Sequence, residues 1–167
     1  MIDPIFSFIT GLIANYGFPI LLVIFFLKGV FVAKPISSTI VISAYVATVS
    51  PSFTAGVLIG IVCSMASVSG EVFIFQTIRR NGYNSLDDVS VRIPQKVQDK
   101  TKKLFDDYGI FAVLFGSMVP GIRGTINVTA ALNGYPQLWT AIASLFGTSV
   151  YYVSVTLAAL GVIQVIF

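Results

Sequence analysis

The sequence contains no histidine and only one cysteine, Cys63, among its 167 residues. Zinc sites of the usual four-ligand kind need these residue types, and a disulfide within one chain needs two cysteines. Without histidine, a serine nucleophile has no imidazole base. Lys34 and Ser38 have the spacing of a Ser-Lys pair, but Pro35 between them breaks the helical geometry. We therefore expect no catalytic residue, metal or cofactor, and predict that the protein is not an enzyme.

Charged residues are also scarce. They make up 10% of the chain, against 56% hydrophobic residues, and the mean hydropathy is +0.90. Soluble domains are typically about 25% charged, so this chain has too little polar surface to cover a water-soluble globule. We predict a single all-α, multi-pass domain over residues 1–167 in the cell membrane. The net charge of +3 favours anionic lipid headgroups over nucleic acid as partners.

Apolar stretches make up most of what is present. They cover residues 18–32, 36–49, 53–78, 110–132 and 138–167. About 20 residues cross the hydrocarbon core, so the third and fifth stretches are long enough to span it. Cys63 lies in the third stretch and is predicted to be a packing residue. The N-terminus lacks the basic region of a cleaved signal peptide and is predicted to form a short interfacial helix.

A charged segment over residues 79–107 divides these stretches into two groups. It holds seven of the ten basic residues and five of the seven acidic residues. We predict a solvated segment with a helix over 95–107, which the positive-inside rule puts on the cytoplasmic side. Lys96, Lys100 and Lys103 recur at helical spacing, and this stripe either contacts anionic lipid or is a solvated face.

The two groups of stretches resemble each other. Pro35 precedes Pro51 by 16 residues, and Pro120 precedes Pro136 by the same number. Each second proline opens a long apolar run, "PSFTAGVLIGI" in one group and "PQLWTAIASLF" in the other. We interpret this pattern as an internal repeat. The two predicted units cover about 29–78 and 109–167.

Each unit begins with a broken apolar segment. Pro35 interrupts the first, and Pro120 with Gly121 interrupts the second, because proline removes a backbone donor and clashes with the preceding turn. Unpaired backbone is costly in hydrocarbon, so such breaks survive only inside protein or against water. We predict a re-entrant helical hairpin in each unit, followed by one transmembrane helix. The units are then inverted, as in many transporters, and their hairpins meet near the midplane.

Two opposite charges lie in apolar surroundings. Arg123 follows the Pro120 break, and a charge near the bilayer centre costs about 2.5–3.5 kcal/mol, so it should face a polar cavity, an acid or a phosphate. The alternative is an arginine that snorkels to the interface. Asn127, one turn later, shares its face. Glu71 is predicted either to pair with Arg123 or Lys34, or to titrate in proton-coupled transport.

Hydroxyls and lysines cluster near the first break. The candidate cavity is lined by Lys28, Lys34, Ser37, Ser38 and Thr39. Together with Arg123 they would suit the phosphate of a lipid, although both lysines could instead snorkel to the interface. Gly56 and Gly60 form a GxxxG pattern, which predicts close helix packing.

These segments resemble the DedA family, whose core is the VTT domain. "GIFAVLFGSMVPGIR" is similar to the family run G-x-x-A-V-x-x-x-R-F-I-P-G-V-R, and "SGEVFIFQTIRRNG" is similar to G-D-x-x-x-Y-x-I-G-R-x-x-G. The resemblance covers about 17–161. It implies two opposed re-entrant hairpins and the movement of lipids across the bilayer, either polyprenyl-phosphate carriers or phospholipids. It also implies proton dependence in some members.

The chain departs from the family pattern at three places. Ser38 stands where the first hairpin often has an acid, Ser117 stands where the first arginine of the motif is expected, and an upstream glutamate is replaced near Lys28. Glu71 matches the later acidic position, and Arg123 matches the second arginine. The departures make the expected cavity more positive.

Together these features predict a flippase or scramblase for phosphate-headgroup lipids. Arg123 would hold the phosphate. The predicted lining residues are Lys34, Ser37, Ser38, Thr39 and Asn127. Two alternatives stay open: an ion-coupled small-molecule exporter that uses Glu71, and a membrane scaffold that binds partners through residues 81–107. A homo-oligomer is also left open.

Overall fold

A computed structural model describes residues 4–30, 37–82, 95–119 and 122–166. Every regular element in these ranges is a helix, which confirms the predicted all-α class. The helices are α1 (Pro4–Tyr16), α2 (Phe18–Val30), α3 (Ser38–Val49), α4 (Phe53–Asn81), α5 (Gln95–Tyr108), α6 (Phe111–Met118), α7 (Arg123–Leu132) and α8 (Gln137–Ile166).

Two of the described helices, α4 and α8, are long and apolar enough to cross a membrane. They contain 29 and 30 residues, or about 45 Å each at 1.5 Å per residue. Neither contains an internal proline, so no backbone donor is missing. α4 is capped at its start by Ser52, whose hydroxyl accepts the Ala55 N–H, and at its end by Gly82 in the left-handed region, with φ 67°.

The helices α4 and α8 pack antiparallel through small residues. Gly56 lies against the Leu160 side chain and Gly60 against the Val153 backbone, so the packing predicted from the GxxxG pattern is confirmed. Further along, the hydroxyls of Ser64 and Ser149 are 2.6 Å apart. Rising residue numbers on α4 meet falling numbers on α8, and this register brings the middles of both helices together.

The helix α2 crosses α4 where two glycines meet. A Cβ on Gly29 would overlap the Ser67 carbonyl oxygen, and one on Gly70 would overlap that of Phe26. The ring of Phe25 packs edge-on against Tyr152 of α8, with centroids 4.7 Å apart. The C-terminal end of α2 is thereby held beside the middle of α4.

The three shortest of the described helices fall far below the length needed to cross a hydrocarbon core about 30 Å thick. α3, α6 and α7 contain 12, 8 and 10 residues. Val119, after α6, has extended backbone angles (φ −95°, ψ 118°), and α7 starts at Arg123. The interruption predicted around Pro120 is therefore present. Pro120 and Gly121 themselves, with Lys34 and Pro35, lie outside the described residues.

The charged segment contains the helix predicted over 95–107, observed as Gln95–Tyr108. It packs on α6 and α7 and buries Thr101 and Phe105, while Lys100 and Lys103 are exposed. Phe105 stacks on Tyr135, with ring centroids 5.2 Å apart. The side chain of Lys96 lies outside the described part, so the lysine stripe stays a prediction.

The outer faces of the two long helices are apolar and exposed. The exposed large residues there include Leu58, Met65, Phe73, Leu138, Trp139, Phe146 and Val150. Contiguous exposed apolar surface of this kind suits contact with lipid rather than water. The buried faces of the same helices contribute to two hydrophobic clusters and also carry the polar side chains described next.

Candidate functional site

A buried ion pair lies at the centre of the bundle. Arg123, the first residue of α7, is 2% exposed, and Glu71, in the middle of α4, is 5% exposed. The Arg123 Nε and Nη2 atoms both lie 3.4 Å from Glu71 Oε1. Charged hydrogen bonds are commonly about 2.7–2.9 Å long, so this pair is loosely held.

Neutral donors hold the other carboxylate oxygen more closely. Asn127 Nδ2 donates to Glu71 Oε2 at 2.8 Å, and the Ser144 hydroxyl donates to the same oxygen at 2.5 Å. Asn127 also donates to Ser144 Oγ at 3.1 Å. Glu71 is therefore fixed by α7 and α8 independently of Arg123.

The guanidinium of Arg123 has partners of its own. Its Nη2 donates to Ser67 Oγ at 2.7 Å, and its Cζ lies 4.4 Å from the centroid of the Tyr152 ring, a cation–π distance. The Tyr152 hydroxyl interacts in turn with Ser38 and Ser67. Through Ser38 the cluster also reaches the start of α3.

Helical spacing explains why these side chains converge. Ser67 and Glu71 are four residues apart, as are Arg123 and Asn127, so each pair lies on one helix face. On α8 the same spacing joins five buried residues: Thr140, Ser144, Thr148, Tyr152 and Thr156. The three polar faces meet in the interior because the outer faces are apolar.

A narrow cleft leads to Glu71 from the end of the bundle where α8 begins and α4 ends. It has room for about one water molecule. Its lining residues are Val68, Glu71, Val72, Phe75, Asn127, Gln137, Thr140, Ala141 and Ser144. At this end Arg79 Nη2 donates to the Tyr135 carbonyl at 2.8 Å, which ties α4 to the turn before α8.

The profile of the VTT domain matches residues 35–160, more than half of the chain. The chain belongs to the VTT-domain family. Its relatives are membrane proteins of the DedA type and are generally transporter-like. The resemblance drawn from the sequence motifs is thus confirmed. No curated protein and no solved structure matches the chain.

In this VTT-domain protein, three of the predicted site residues come together. Arg123, Asn127 and Glu71 form one hydrogen-bonded cluster. Of the two partners that the sequence offered for Glu71, Arg123 is the one in contact, and Lys34 lies outside the described residues. Because Arg123 is fully buried and paired, the snorkelling alternative does not describe it.

The three consecutive hydroxyl residues of the first unit, Ser37, Ser38 and Thr39, do not all lie in the same environment. Ser38 reaches the cluster through Tyr152, whereas Ser37 and Thr39 are exposed. Ser37 precedes α3 as its N-cap but makes no side-chain capping bond. Lys28 is largely buried, with its Nζ 5.8 Å from the centroid of the Phe25 ring. Of the three hydroxyl residues predicted to line the cavity here, Ser38 is the one that the structure connects to the Arg123 cluster.

Sequence reasoning found Asn127 and Ser38 but missed three other neutral members of the site, Ser67, Ser144 and Tyr152. The available signal was the four-residue recurrence of polar side chains along the uncharged stretch that forms α8. One member of that series, Thr148, has a fully buried hydroxyl with no hydrogen-bond partner in the described structure. When the ion pair separates, the Arg123 guanidinium can bind an anion and the Glu71 carboxylate can bind a cation.

Proposed function

We propose that this VTT-domain protein moves phosphate-headgroup lipids across the cell membrane as a multi-pass flippase or scramblase. The observation that carries the proposal is the buried Arg123, which begins the short helix α7 and makes long contacts to Glu71 of α4. A guanidinium binds a phosphate through two parallel hydrogen bonds. A charge is kept in such surroundings for a function more often than for stability.

The arrangement of α2 and α3 supports a re-entrant hairpin. Phe18 of α2 contacts Tyr45 of α3, and three residues separate the end of α3 from the beginning of α4, so these ends lie at one face of the bundle. The opposite ends lie at mid-depth, because Gly29 contacts Gly70 and Ser38 interacts with Tyr152. We propose that the first hairpin enters from the face where α4 begins.

The arrangement of α6 and α7 supports the second hairpin. Gly109, before α6, lies close to Tyr135, after α7, at the face where α4 ends. Deeper in the bundle, Ser117 at the end of α6 lies 3.4 Å from Ser144, and Arg123 begins α7. The two hairpins would then enter from opposite faces, as inverted repeats do, and approach each other at Arg123 and Tyr152.

In the proposed cycle the lipid phosphate takes the place of the Glu71 carboxylate at Arg123. The phosphate gives Arg123 a new anionic partner, and the hydrogen bonds from Asn127 and Ser144 keep Glu71 in position. Asn127 and Ser38 would contact the passing headgroup, with Lys34, Ser37 and Thr39 along its path toward the first face. The acyl chains would remain in the surrounding lipid, against the apolar outer faces of α4 and α8.

Arg123→Lys tests this role best, because Arg123→Ala would leave the Glu71 charge buried without a counterion. Lysine keeps the charge and loses the planar fork. We expect lipid translocation in reconstituted vesicles to fall at least about tenfold, since a bidentate charged contact contributes roughly 1.5–3 kcal/mol. Thr156→Val is the matched control, since the hydrogen bond that the described residues give this buried hydroxyl stays within α8, to the Tyr152 carbonyl. Unchanged translocation in the lysine variant would exclude Arg123 as the phosphate ligand.

An ion-coupled small-molecule exporter is the second candidate. The observation that favours it is the cleft that connects Glu71 to one end of the bundle. An exporter of this kind needs the carboxylate and a driving gradient. Transport that survives both Glu71→Gln and a collapsed pH gradient would exclude it, whereas loss of transport in both tests would favour it over passive lipid movement.

A further inference from the structure

The polar side chains that line the cleft are acidic or neutral, and each of them carries an oxygen atom. They are Glu71, Asn127, Gln137, Thr140 and Ser144. All five carry oxygen atoms, one carries a negative charge, and no basic side chain is among the described residues that line the cleft. An anion would meet no counter-charge here, so the cleft fits a cation.

The size and charge of the site restrict the cation further. The cleft is narrow and is walled on its other side by Val68, Val72 and Phe75, so there is little space beyond that of a water molecule. Alkali and alkaline-earth ions prefer oxygen ligands, and Mg²⁺ retains several waters that this space does not hold. The single carboxylate, Glu71, balances one positive charge, which in the structure is that of Arg123. A cation bound there takes the place of the guanidinium as counter-charge, so one positive charge is enough.

We propose that the cleft binds a small monovalent cation of the Na⁺ class. Glu71 is its charged ligand, and the hydroxyl oxygens of Thr140 and Ser144 are the neutral ones. Gln137, about two turns before Ser144, contacts the ion at the entrance of the cleft. Gln137 is half-buried at the entrance, while Thr140 and Ser144 are buried one and two turns further along α8. The ion enters from the end of the bundle that carries Arg79.

Binding of the cation acts on the ion pair. A positive charge at the Glu71 carboxylate repels the guanidinium of Arg123, whose contacts to Glu71 are already long at 3.4 Å. Asn127 and Ser144 keep the carboxylate in place, so Arg123 is the partner that moves. A freed Arg123 accepts an anion, and cation and phosphate therefore bind cooperatively. This last step rests on the proposed function; the cation site does not.

The site itself is tested by thermal unfolding of the purified protein in detergent. We compare NaCl with choline chloride at equal ionic strength, because choline is too large for the cleft. Na⁺ should raise the unfolding midpoint in a saturable way, as a ligand of the folded state does. Thr140→Val removes one neutral ligand without adding volume and should weaken the apparent Na⁺ affinity roughly tenfold.

The control is Thr156→Val, which changes a buried threonine on the same face of α8 outside the cleft and should keep the full Na⁺ effect. Equal midpoints in Na⁺ and choline would overturn the proposal. A Na⁺ effect that is the same in Thr140→Val and the unaltered protein would also overturn it, because the ion would then bind elsewhere. Neither variant removes a charge, so both are expected to fold.

The coupling is tested with a short-chain phosphatidic acid as the phosphate probe. Its affinity should rise about 5- to 150-fold when Na⁺ replaces choline, the usual range of coupling between two sites, and the reverse effect on Na⁺ affinity must be equal. Phosphatidic acid that binds equally in both salts would refute the coupling and leave the proposed function intact. A Na⁺ site without any phosphatidic acid binding would instead refute the phosphate role of Arg123.

Discussion

At the scale of single residues, the site has one firmly held charge and one loosely held charge. Glu71 is fixed by hydrogen bonds of 2.8 and 2.5 Å from neutral groups, whereas Arg123 approaches it only to 3.4 Å. A buried pair built for stability would be expected to have the shorter, parallel contacts of a bidentate bridge. The observed geometry suits a pair that opens during transport.

Substitutions of Glu71 and Arg123 should have strongly non-additive effects on the unfolding free energy. Glu71→Gln and Arg123→Gln each leave a buried charge without a counterion and should cost about 3–5 kcal/mol of unfolding free energy. The double variant leaves neither charge and should cost clearly less than the sum. A double-mutant cycle by denaturant unfolding in detergent measures the difference. Additive costs would mean that the two charges do not interact.

For Thr148 we predict a substitution that increases the stability of the protein, in contrast to the charge substitutions above. Its hydroxyl is fully buried and has no partner in the described structure, so it was desolvated without compensation. Thr148→Val removes that hydroxyl at nearly constant volume and should raise the unfolding free energy by about 1 kcal/mol or more. Thr156→Val, where the hydroxyl bonds the Tyr152 carbonyl, should be close to neutral. Lower stability of Thr148→Val would show that the hydroxyl has a bound partner, such as a buried water.

At the scale of elements, the contact of α2 with α4 depends on two glycines. Gly29→Ala and Gly70→Ala should each push the helices apart and cost about 1–3 kcal/mol, as overpacking does. Gly11→Ala is the matched control, because nothing lies within 4 Å of its added Cβ and alanine favours the helix. The measurement is the unfolding midpoint of each variant. Equal effects at the three positions would contradict the close crossing.

The sequence predicted the elements better than the site. Long uninterrupted apolar runs predicted α4 and α8, and Pro120 predicted the interruption between α6 and α7. Both features could be predicted because each depends on residues that are neighbours in the sequence. The ion pair could be proposed because Glu71 and Arg123 are rare charges in apolar surroundings. Ser144 carries no such signal: its partner Glu71 is 73 residues away, and only the antiparallel register of α4 and α8 brings them together.

At the scale of the whole molecule, the protein is expected to have one fixed orientation in the membrane. The exposed charges of the segment around α5 should face the cytoplasm, and the beginning of α4 should face the opposite side. In a Cys63→Ala background, Thr54→Cys should react with an impermeant maleimide on intact cells. Asp107→Cys should react only after permeabilisation; both side chains are exposed. Labelling of both in intact cells, or the reverse pattern, would contradict the orientation.

The most direct test of lipid movement uses the purified protein in liposomes that contain a phospholipid with a fluorescent headgroup. A membrane-impermeant quencher added outside removes only the signal of the outer leaflet when lipids stay in place. We predict that quenching goes well beyond the outer-leaflet fraction, and that Arg123→Lys returns it toward the level of protein-free vesicles. Quenching confined to the outer leaflet with the folded, unaltered protein would contradict the account for that lipid and favour the exporter.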